Sequence, residues 1–435
     1  MEIIIVGAGI AGLSAGIALR RAGHSVNIFE QSALLQETGA AISIAPNASP
    51  VLCGWGFDIA KSRMVAIRTG SILSGANLQT IVPNYYVNIK ENYGAPIYSV
   101  HRVDLHDQLK ALATGEAGPG QPCKLHVRST VKNYDAVNAR ITLADGTTRQ
   151  GDLIIAANGV HSTAREAVGV TDDSITTETG WASMRWLLPT SELLADPEIA
   201  NLVEKSTQRF YMGAQGGGLV WYQCRDNDVQ NFLYLSRSFG NDATEDFQAA
   251  VDPSVMLEHA KTEFLSPALH KVLAKARNVK FWKLVARSPL PTWRKDKLIL
   301  IGDAAHPMLP FQAQGGGQAI EDAAVLGTLL ESVHDKATLE KRLPLFEQIR
   351  KNRGSAVQTL SNSGPPMPQS VRDAAAKFLP ASTKLESQDD IIDLLFSYDV
   401  LGTAKAALAE FEAESNGPSN GVVNSWSSEP SSVTA

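Results

Sequence analysis

The run Gly7-Ala8-Gly9-Ile10-Ala11-Gly12 constrains this chain more than any other feature, because of what stands on either side of it. Ile3 to Val6 before it is a continuous apolar stretch, the pattern of a parallel strand buried on both faces. After it, Leu13, Ile17 and Leu19 predict a helix closed by Gly23, and Ser25 to Phe29 reads as a second strand that delivers Glu30 at its end. A βαβ unit punctuated in this way is a dinucleotide-binding fingerprint. Gly7 permits the tight turn, Gly9 lets the backbone approach a pyrophosphate, and Gly12 lets the helix lie close on the strand. Ala11, the small residue between them, belongs to the same cofactor-binding set. The helix start stabilises phosphate charge. Gly16, inside the helix, costs about 1 kcal/mol relative to alanine and points to close packing on the sheet. Glu30 stands about 20 residues on, where an acid hydrogen-bonds a ribose hydroxyl. An acid there would repel a 2′-phosphate, which argues against NADP at this site and leaves FAD and NAD open.

A second element narrows the choice. Lys297 to Ile301 reads as a buried strand ending in Gly302-Asp303-Ala304-Ala305-His306-Pro307, and Phe311 to Gly317 leads to a helix expected from Gln318 to Val333. Asp303 is an acceptor suited to a cofactor hydroxyl. Gly315, Gly316 and Gly317 let backbone close on a flat ring, and the helix start offers free N–H groups and a positive dipole end. A reduced flavin carries negative charge that such a dipole stabilises.

The segment Gly302 to Pro307, followed by Gly315-Gly316-Gly317 and Glu321-Asp322-Ala323, resembles the ribityl-binding motif of the single-component FAD-dependent monooxygenases, the family of para-hydroxybenzoate and salicylate hydroxylases and of fungal secondary-metabolism members. The order of motifs agrees over about residues 1 to 355. His101-Arg102-Val103-Asp104-Leu105 matches the segment whose arginine contacts the cofactor, so the resemblance makes Arg102 an FAD ligand, with a surface arginine at a helix start as the lesser alternative. Asp152 to Arg165 (DLIIAANGVHSTAR) matches the third motif with one departure. Asn158 stands where the family usually has Asp, keeping the hydrogen-bonding shape and losing the charge. Asn158 stays in the cofactor-binding set, and the departure bears on NADPH against NADH.

The resemblance implies an α/β fold: an FAD-binding Rossmann-like domain, an inserted sheet-containing substrate domain and a C-terminal helical segment. Residues 1–65, 100–170 and 290–355 are expected to form the discontinuous FAD domain. Residues 66–99 and 171–289 form the substrate domain, 356–414 the helical segment, and the Ser-, Asn-, Gly- and Pro-rich stretch 415–435 a disordered tail. The texture agrees. Lys124 to Val127, Val131 to Asp135 and Arg140 to Leu143 read as short antiparallel strands with a turn at Asp145-Gly146. Pro46 to Ala48 opens a helix through Leu52, and Val103 to Ala113 is another. Short β-like runs (Arg209 to Met212, Leu219 to Cys224, Asn231 to Ser236) precede a helix at Pro253 to Phe264. Leu339 to Asn352 is helical, with Pro344 expected to kink or break it.

The chemistry implied by the resemblance has two halves. NADPH or NADH, binding transiently without a second Rossmann domain, reduces tightly but non-covalently held FAD. O2 then adds at flavin C4a, and the hydroperoxide passes oxygen to an electron-rich carbon of an aromatic or polycyclic small molecule, by hydroxylation or epoxidation. Tyr222 matches a strand tyrosine lining the substrate pocket in relatives, with a core sheet aromatic as the alternative. Arg185 matches an arginine on the strand after the third motif; it holds an anionic substrate, faces the flavin or makes a structural salt bridge. Pro307 shapes the wall beside the ring, and His306 is structural rather than catalytic. An FAD dehydrogenase or oxidase without oxygen insertion, and an FAD-binding scaffold, are the competing readings.

Other classes are disfavoured. A net charge of −6 concentrates nothing positive for nucleic acid. The histidines and three cysteines have no metal-ligand spacing, so no metal is expected. No apolar stretch of about 18 residues occurs and no signal segment precedes the first strand, so a cytoplasmic protein is expected.

Overall fold

Strand β1 (Glu2–Val6) enters Gly7 with four of its five residues buried, and helix α1 (Ile10–Arg21) follows at once. Gly23, at φ +91°, turns the chain into β2 (Ser25–Phe29), which pairs with β1 in parallel, Ile3 beside Val26. The computed structural model describes residues 1–33, 40–170, 176–237, 252–364 and 367–416. The chain continues through β3 (Ala41–Ile44), α2 (Ser49–Gly54), β4 (Val65–Ile67), β5 (Thr69–Ser74), β6 (Thr80–Val82), α3 (Ile89–Tyr93), β7 (Ile97–His101) and α4 (Arg102–Thr114). Strands β8 (Lys124–His126), β9 (Val131–Asp135), β10 (Arg140–Leu143), β11 (Thr148–Gln150) and β12 (Leu153–Ala156) lead to α5 (Ala164–Ala167). The long β13 (Thr176–Pro189) and short α6 (Thr190–Leu194) precede β14 (Thr207–Met212), β15 (Gly218–Cys224) and β16 (Val229–Ser236). Helices α7 (Pro253–Thr262) and α8 (Pro267–Ala274) are followed by β17 (Lys280–Arg287), β18 (Arg294–Lys295) and β19 (Leu298–Leu300). Five helices close the fold: α9 (Gly315–Leu329), α10 (Lys336–Ser361), α11 (Gln369–Ala376), α12 (Gln388–Phe396) and α13 (Val400–Asn416).

A six-stranded sheet in the order β18-β19-β12-β1-β2-β8 is the frame of the fingerprint. β1 lies between β2 and β12, parallel to both, and β12 is parallel to β19. Every residue of β12 and β19 is buried, which explains their unbroken apolar sequence. The glycine fingerprint and Gly302-Asp303 therefore leave the same end of the same sheet. Ligands of open parallel sheets bind at that carboxyl end.

A seven-stranded sheet, β17-β13-β16-β15-β14-β5-β6, carries the second core. Alternation divides its residues between two faces. Met184, Trp186, Trp221, Phe232 and Tyr234 pack against Met256, Leu269, Val272 and Leu273 of α7 and α8. Leu233, Leu235 and Trp282 point the other way, to Leu309 and Phe311 just after the Gly302–Pro307 segment. The small sheet β3-β7-β4 bridges the two: Tyr222 donates its hydroxyl to the Ala41 carbonyl at 2.8 Å, and Ser99 donates to the Gln223 carbonyl.

Four local expectations need correction. β8 is parallel, not antiparallel: Asn27 pairs with Lys124, so this three-residue strand extends the central sheet, and β9, β10 and β11 form the antiparallel sheet. Nothing in so short a run encodes its partner. α9 begins at Gly315, so the three glycines form its first turn rather than a lead-in. α10 runs unbroken through Pro344 and across position 356; Leu343 and Phe346, buried in the main core on either side of the proline, hold it in place against the lost backbone bond. β13, α8 and β17 extend the 170–290 region beyond the elements read there. The tail expected to be disordered lies, beyond Asn416, outside the described residues.

Candidate active site

The fingerprint glycines divide their work by space. Gly7 sits at φ +104°, and a methyl group on it would meet the Ala157 carbonyl at 2.5 Å. A methyl on Gly12 would lie 1.9 Å from the Gly7 carbonyl oxygen, so helix and turn are in contact there. Around Gly9 nothing lies within 4 Å of that position. The open volume is at the one glycine that should admit a pyrophosphate. Gly9 is also the N-cap of α1 and no side chain caps the helix, which leaves first-turn N–H groups for an anion. Glu30 accepts from Ala8 N–H and Ser32 N–H, both at 2.8 Å, and so fixes the loop while staying half-buried beside it.

Gly302 brings the second motif to the first. Its φ is +57°, and a methyl there would come within 2.7 Å of the Ala11 side chain, the reason position 11 must be small. Asp303 then faces open space while sitting deep in the cleft. Burial pushes its carboxyl above the usual carboxylate range, opposed by His306, Arg102, Arg165 and Arg287. Arg102, the first residue of α4, donates its backbone N–H to Ala40 and lies within electrostatic range of Asp303. Arg165 donates to the carbonyls of Asp303, Ala304 and Val160, joining the third motif to the second. Burial lowers its pKa to about 10.

The glycine turn of α9 meets little. The nearest atom to a methyl on Gly315 is Met308 Cγ at 3.8 Å, and on Gly316 the Ile42 and Ile44 side chains at 3.7 Å. Gly317 is closer packed, 3.3 Å from Asn47. No side chain caps this helix either. Two uncapped helix starts, an acid at a strand end and a small-residue floor fit a pyrophosphate and a flat ring. Two surface recesses elsewhere, about 490 Å³ beside Met1 and His24 and about 470 Å³ between Arg353 and Asp399, touch none of these glycines.

Beneath the motif lies a buried charge network that sequence reading missed. Asp322 accepts from Gly302 N–H (2.9 Å), His306 Nε2 (2.7 Å) and Arg350 Nε (2.8 Å). Glu321 accepts from Asn47 (2.6 Å), twice from Arg353 (2.8 Å each) and from Arg350 Nη1. Arg350 Nη2 also donates to Gln318 Oε1 at 2.8 Å. Glu321, Asp322 and Arg350 have no exposed surface. Burial alone would raise both carboxyls; Arg353 and Arg350 beside Glu321, and His306 and Arg350 beside Asp322, more than offset it and leave both below their ordinary values. The network pins α9, α10 and the Gly302 turn together. His306, its ring tilted against Trp293 with centroids 4.9 Å apart, belongs to this scaffold. Arg350 and Arg353 sit three apart on α10, a helical spacing that marks one face but names no partner. His106, four residues after Arg102 on α4, bonds the Ala8 carbonyl through Nε2 at 2.8 Å and was likewise unread.

Pro307 is buried and its carbonyl accepts from Gln358 at 3.0 Å. Asn158 is tied on both sides: it donates to Tyr134 Oη (3.1 Å) and accepts from Ser162 Oγ (2.6 Å). Arg185 and Tyr222 lie on the sheet face turned toward Leu309 and Phe311, within electrostatic range of one another, and Arg102 reaches Arg185 as well. Arg185 lies 5.1 Å over the Trp282 ring and has no carboxylate partner among the described residues. Burial lowers its pKa.

Residues 1–361 match the FAD binding domain family. The chain is 56% identical over 389 residues to the FAD-dependent monooxygenase phomE' of Diaporthe leptostromiformis, covering 89% of this chain and 98% of that protein. It is 32% identical to the hispidin-3-hydroxylase of Neonothopanus nambi, over 82% of this chain and 86% of the other. The fold superposes on the crystal structure of CtdE in complex with FAD and a substrate with a TM-score of 0.78 at 22% identity, covering 96% of this chain and all of that one. No helix among the described residues is long and apolar enough to cross a membrane. With its uncapped helix starts, open glycine floor and cleft aspartate, the chain belongs to the FAD-binding-domain family and is an FAD-dependent monooxygenase.

Proposed function

We propose that this monooxygenase takes two electrons from NADPH or NADH and inserts one atom of O2 into an aromatic or polycyclic small molecule lying between the Pro307–Phe311 segment and the Arg185 face of the seven-stranded sheet. The balance is substrate–H + NAD(P)H + H⁺ + O2 → substrate–OH + NAD(P)⁺ + H2O. FAD, when bound, supplies electron transfer and oxygen activation. Gly7, Gly9, Ala11 and Gly12 would hold its pyrophosphate at the start of α1, and Glu30 would accept from a ribose hydroxyl. Arg102 and Asp303 would hold the polar chain, the first turn of α9, Gly315 to Gly317, would receive the ring, and Pro307 would wall it. Asn158 offers a nicotinamide cofactor hydrogen bonds without charge. With its three cysteines free, a reducing cytosolic setting suits the chain.

The observation that carries the substrate reading is Arg185. A desolvated guanidinium stacked on Trp282, with no carboxylate among the described residues, is a costly arrangement unless a ligand completes it. An acidic or carbonyl-bearing aromatic supplies the missing acceptor. Tyr222, whose proton goes to Ala41, positions this face rather than transferring protons. The test is NAD(P)H and O2 consumption with candidate phenols and indoles, with ¹⁸O2 label traced into product. Arg185→Met raises KM for an acidic substrate about 10- to 100-fold, the ~1.5–3 kcal/mol of a hydrogen bond to a charged group, with a smaller change in kcat. Label appearing only in water or peroxide for every substrate that stimulates turnover would refute the oxygenation.

A further inference from the structure

The rest of the Arg185 face carries a second polar group. Strand register places Arg185, Leu233, Val220 and Phe210 in one row across β13, β16, β15 and β14. Two residues along, on the same face, Gln208 pairs with Tyr222. Over Gln208 stand Tyr85 and Tyr86, edge to face with ring centroids 4.5 Å apart. They are fixed from below: Gly70 donates N–H to Asn84 Oδ1 (2.9 Å), Tyr85 N–H returns to the Gly70 carbonyl (2.7 Å), and a methyl on Gly70 would strike both rings within 2.6 Å. The Gln208 amide donates to Tyr85 Oη at 3.1 Å and Tyr86 Oη at 3.4 Å. Both phenol oxygens are acceptors in this cluster, so what the phenols can still offer is O–H, beside the acceptor Oε1 of Gln208. Even if one phenol donates to its neighbour, the other has no acceptor among the described residues. Tyr86 also packs in the cluster that contains Met308, which borders Gly315. Tyr86 lies within electrostatic range of Tyr222 as well, so the pair borders the sheet face that carries Tyr222 and Arg185.

We propose that Tyr85, Tyr86 and Gln208 are specificity-determining residues that hydrogen-bond one oxygen-bearing end of an elongated aromatic substrate whose other, acidic or carbonyl, end is held by Arg185. This rests on the reading that the Arg185 face receives the substrate. The length follows from the sheet: β13 and β14 are three strand spacings apart, about 14 Å. Arg185 does not shorten the gap, because its guanidinium leans outward over Trp282 on β17. Between the two ends the floor is apolar, Val220, Leu233 and Phe210. A single substituted ring cannot reach both ends; two linked or fused rings with oxygen functions at their far ends can.

The test uses the FAD-loaded full chain and reads binding by the perturbation of flavin absorbance on titration, separately from turnover. The probes are 4-hydroxybenzoate and 4′-hydroxybiphenyl-4-carboxylate. The wild type binds the biphenyl acid at least about tenfold more tightly, one hydrogen-bonded end being worth roughly that factor. Gln208→Leu and Tyr86→Phe each remove most of that preference by weakening the biphenyl acid and not the benzoate, while Arg185→Met weakens both. Flavin content reports that each variant is folded, and Tyr86→Phe, which keeps the ring, serves if Gln208→Leu loses FAD. Equal binding of the two probes, no binding of the biphenyl acid, or an unchanged preference in both variants overturns the inference. Preferential binding without labelled product from any probe sustains it and counts against the oxygenation reading alone.

Discussion

Replacing Arg350 with methionine removes the cation shared by two buried carboxylates, and the consequences can be worked through bond by bond. Arg350→Met deletes the donors to Asp322 Oδ1, Glu321 Oε2 and Gln318 Oε1. Glu321 retains Arg353 and Asn47, and Asp322 retains His306 and Gly302 N–H. One negative charge is then left unbalanced where no side-chain surface is exposed. Breaking a buried pair from one side costs about 3–5 kcal/mol, roughly a hundred- to several-thousand-fold in the folded-to-unfolded ratio. Arg350→Lys keeps the charge with a point donor in place of the fork and recovers part of the loss. Denaturant unfolding of the FAD-loaded protein measures the cost, and the flavin-to-protein absorbance ratio after gel filtration reports the cleft. Both fall, because Asp322 also holds Gly302 N–H and through it the Asp303 turn. The pH dependence has a definite sign. Both carboxyls titrate below their ordinary values in the folded protein. Their contribution is therefore complete above the unfolded carboxylate pKa of about 4 and is lost as pH falls through the folded values. The gap between wild type and Arg350→Met is full at pH 7 and closes below about pH 4. An Arg350→Met protein as stable as wild type at pH 7, with full flavin content, would refute the reasoning.

The glycines separate folding from binding. Gly12→Ala, with its methyl 1.9 Å from a backbone oxygen, lowers the melting temperature and the yield of folded protein, whereas Gly9→Ala, with nothing within 4 Å, keeps the melting temperature of the apoprotein and loses FAD; differential scanning fluorimetry with and without added FAD distinguishes them. Tyr222→Phe leaves the Ala41 carbonyl without its donor and costs about 1–3 kcal/mol in denaturant unfolding, with kcat changed less than KM. Asn158→Asp can keep both hydrogen bonds, since Tyr134 and Ser162 each carry a hydroxyl able to donate, so it changes stability by under about 1 kcal/mol; the ratio of kcat/KM for NADPH and NADH, measured in both proteins, shows whether the charge sets the preference.

Sequence alone was enough for the ends of the parallel strands. Gly7, Gly9, Gly12, Glu30 and Asp303 were legible because a turn at a strand end admits few residue types, and the reason is local: a positive φ, a close approach, an acid at a fixed spacing. The helical run of α1 and the unbroken apolar β12 and β19 were legible on the same ground, since periodicity is a property of neighbours in the chain. Pairing is not. β8 joins β2 across nearly a hundred residues, and no three-residue run encodes that. α10 continues through Pro344 because packing outweighs one missing bond, which a local rule cannot weigh. The buried network of Glu321, Asp322, Arg350 and Arg353 joins motif residues to a helix that no motif covers. Arg185, Gln208 and Tyr222 share a face only because four strands, β13, β16, β15 and β14, are in register. The turns at the ends of the parallel strands are thus written in short-range constraints, and the Arg185 face in long-range contacts that exist only once both sheets have formed.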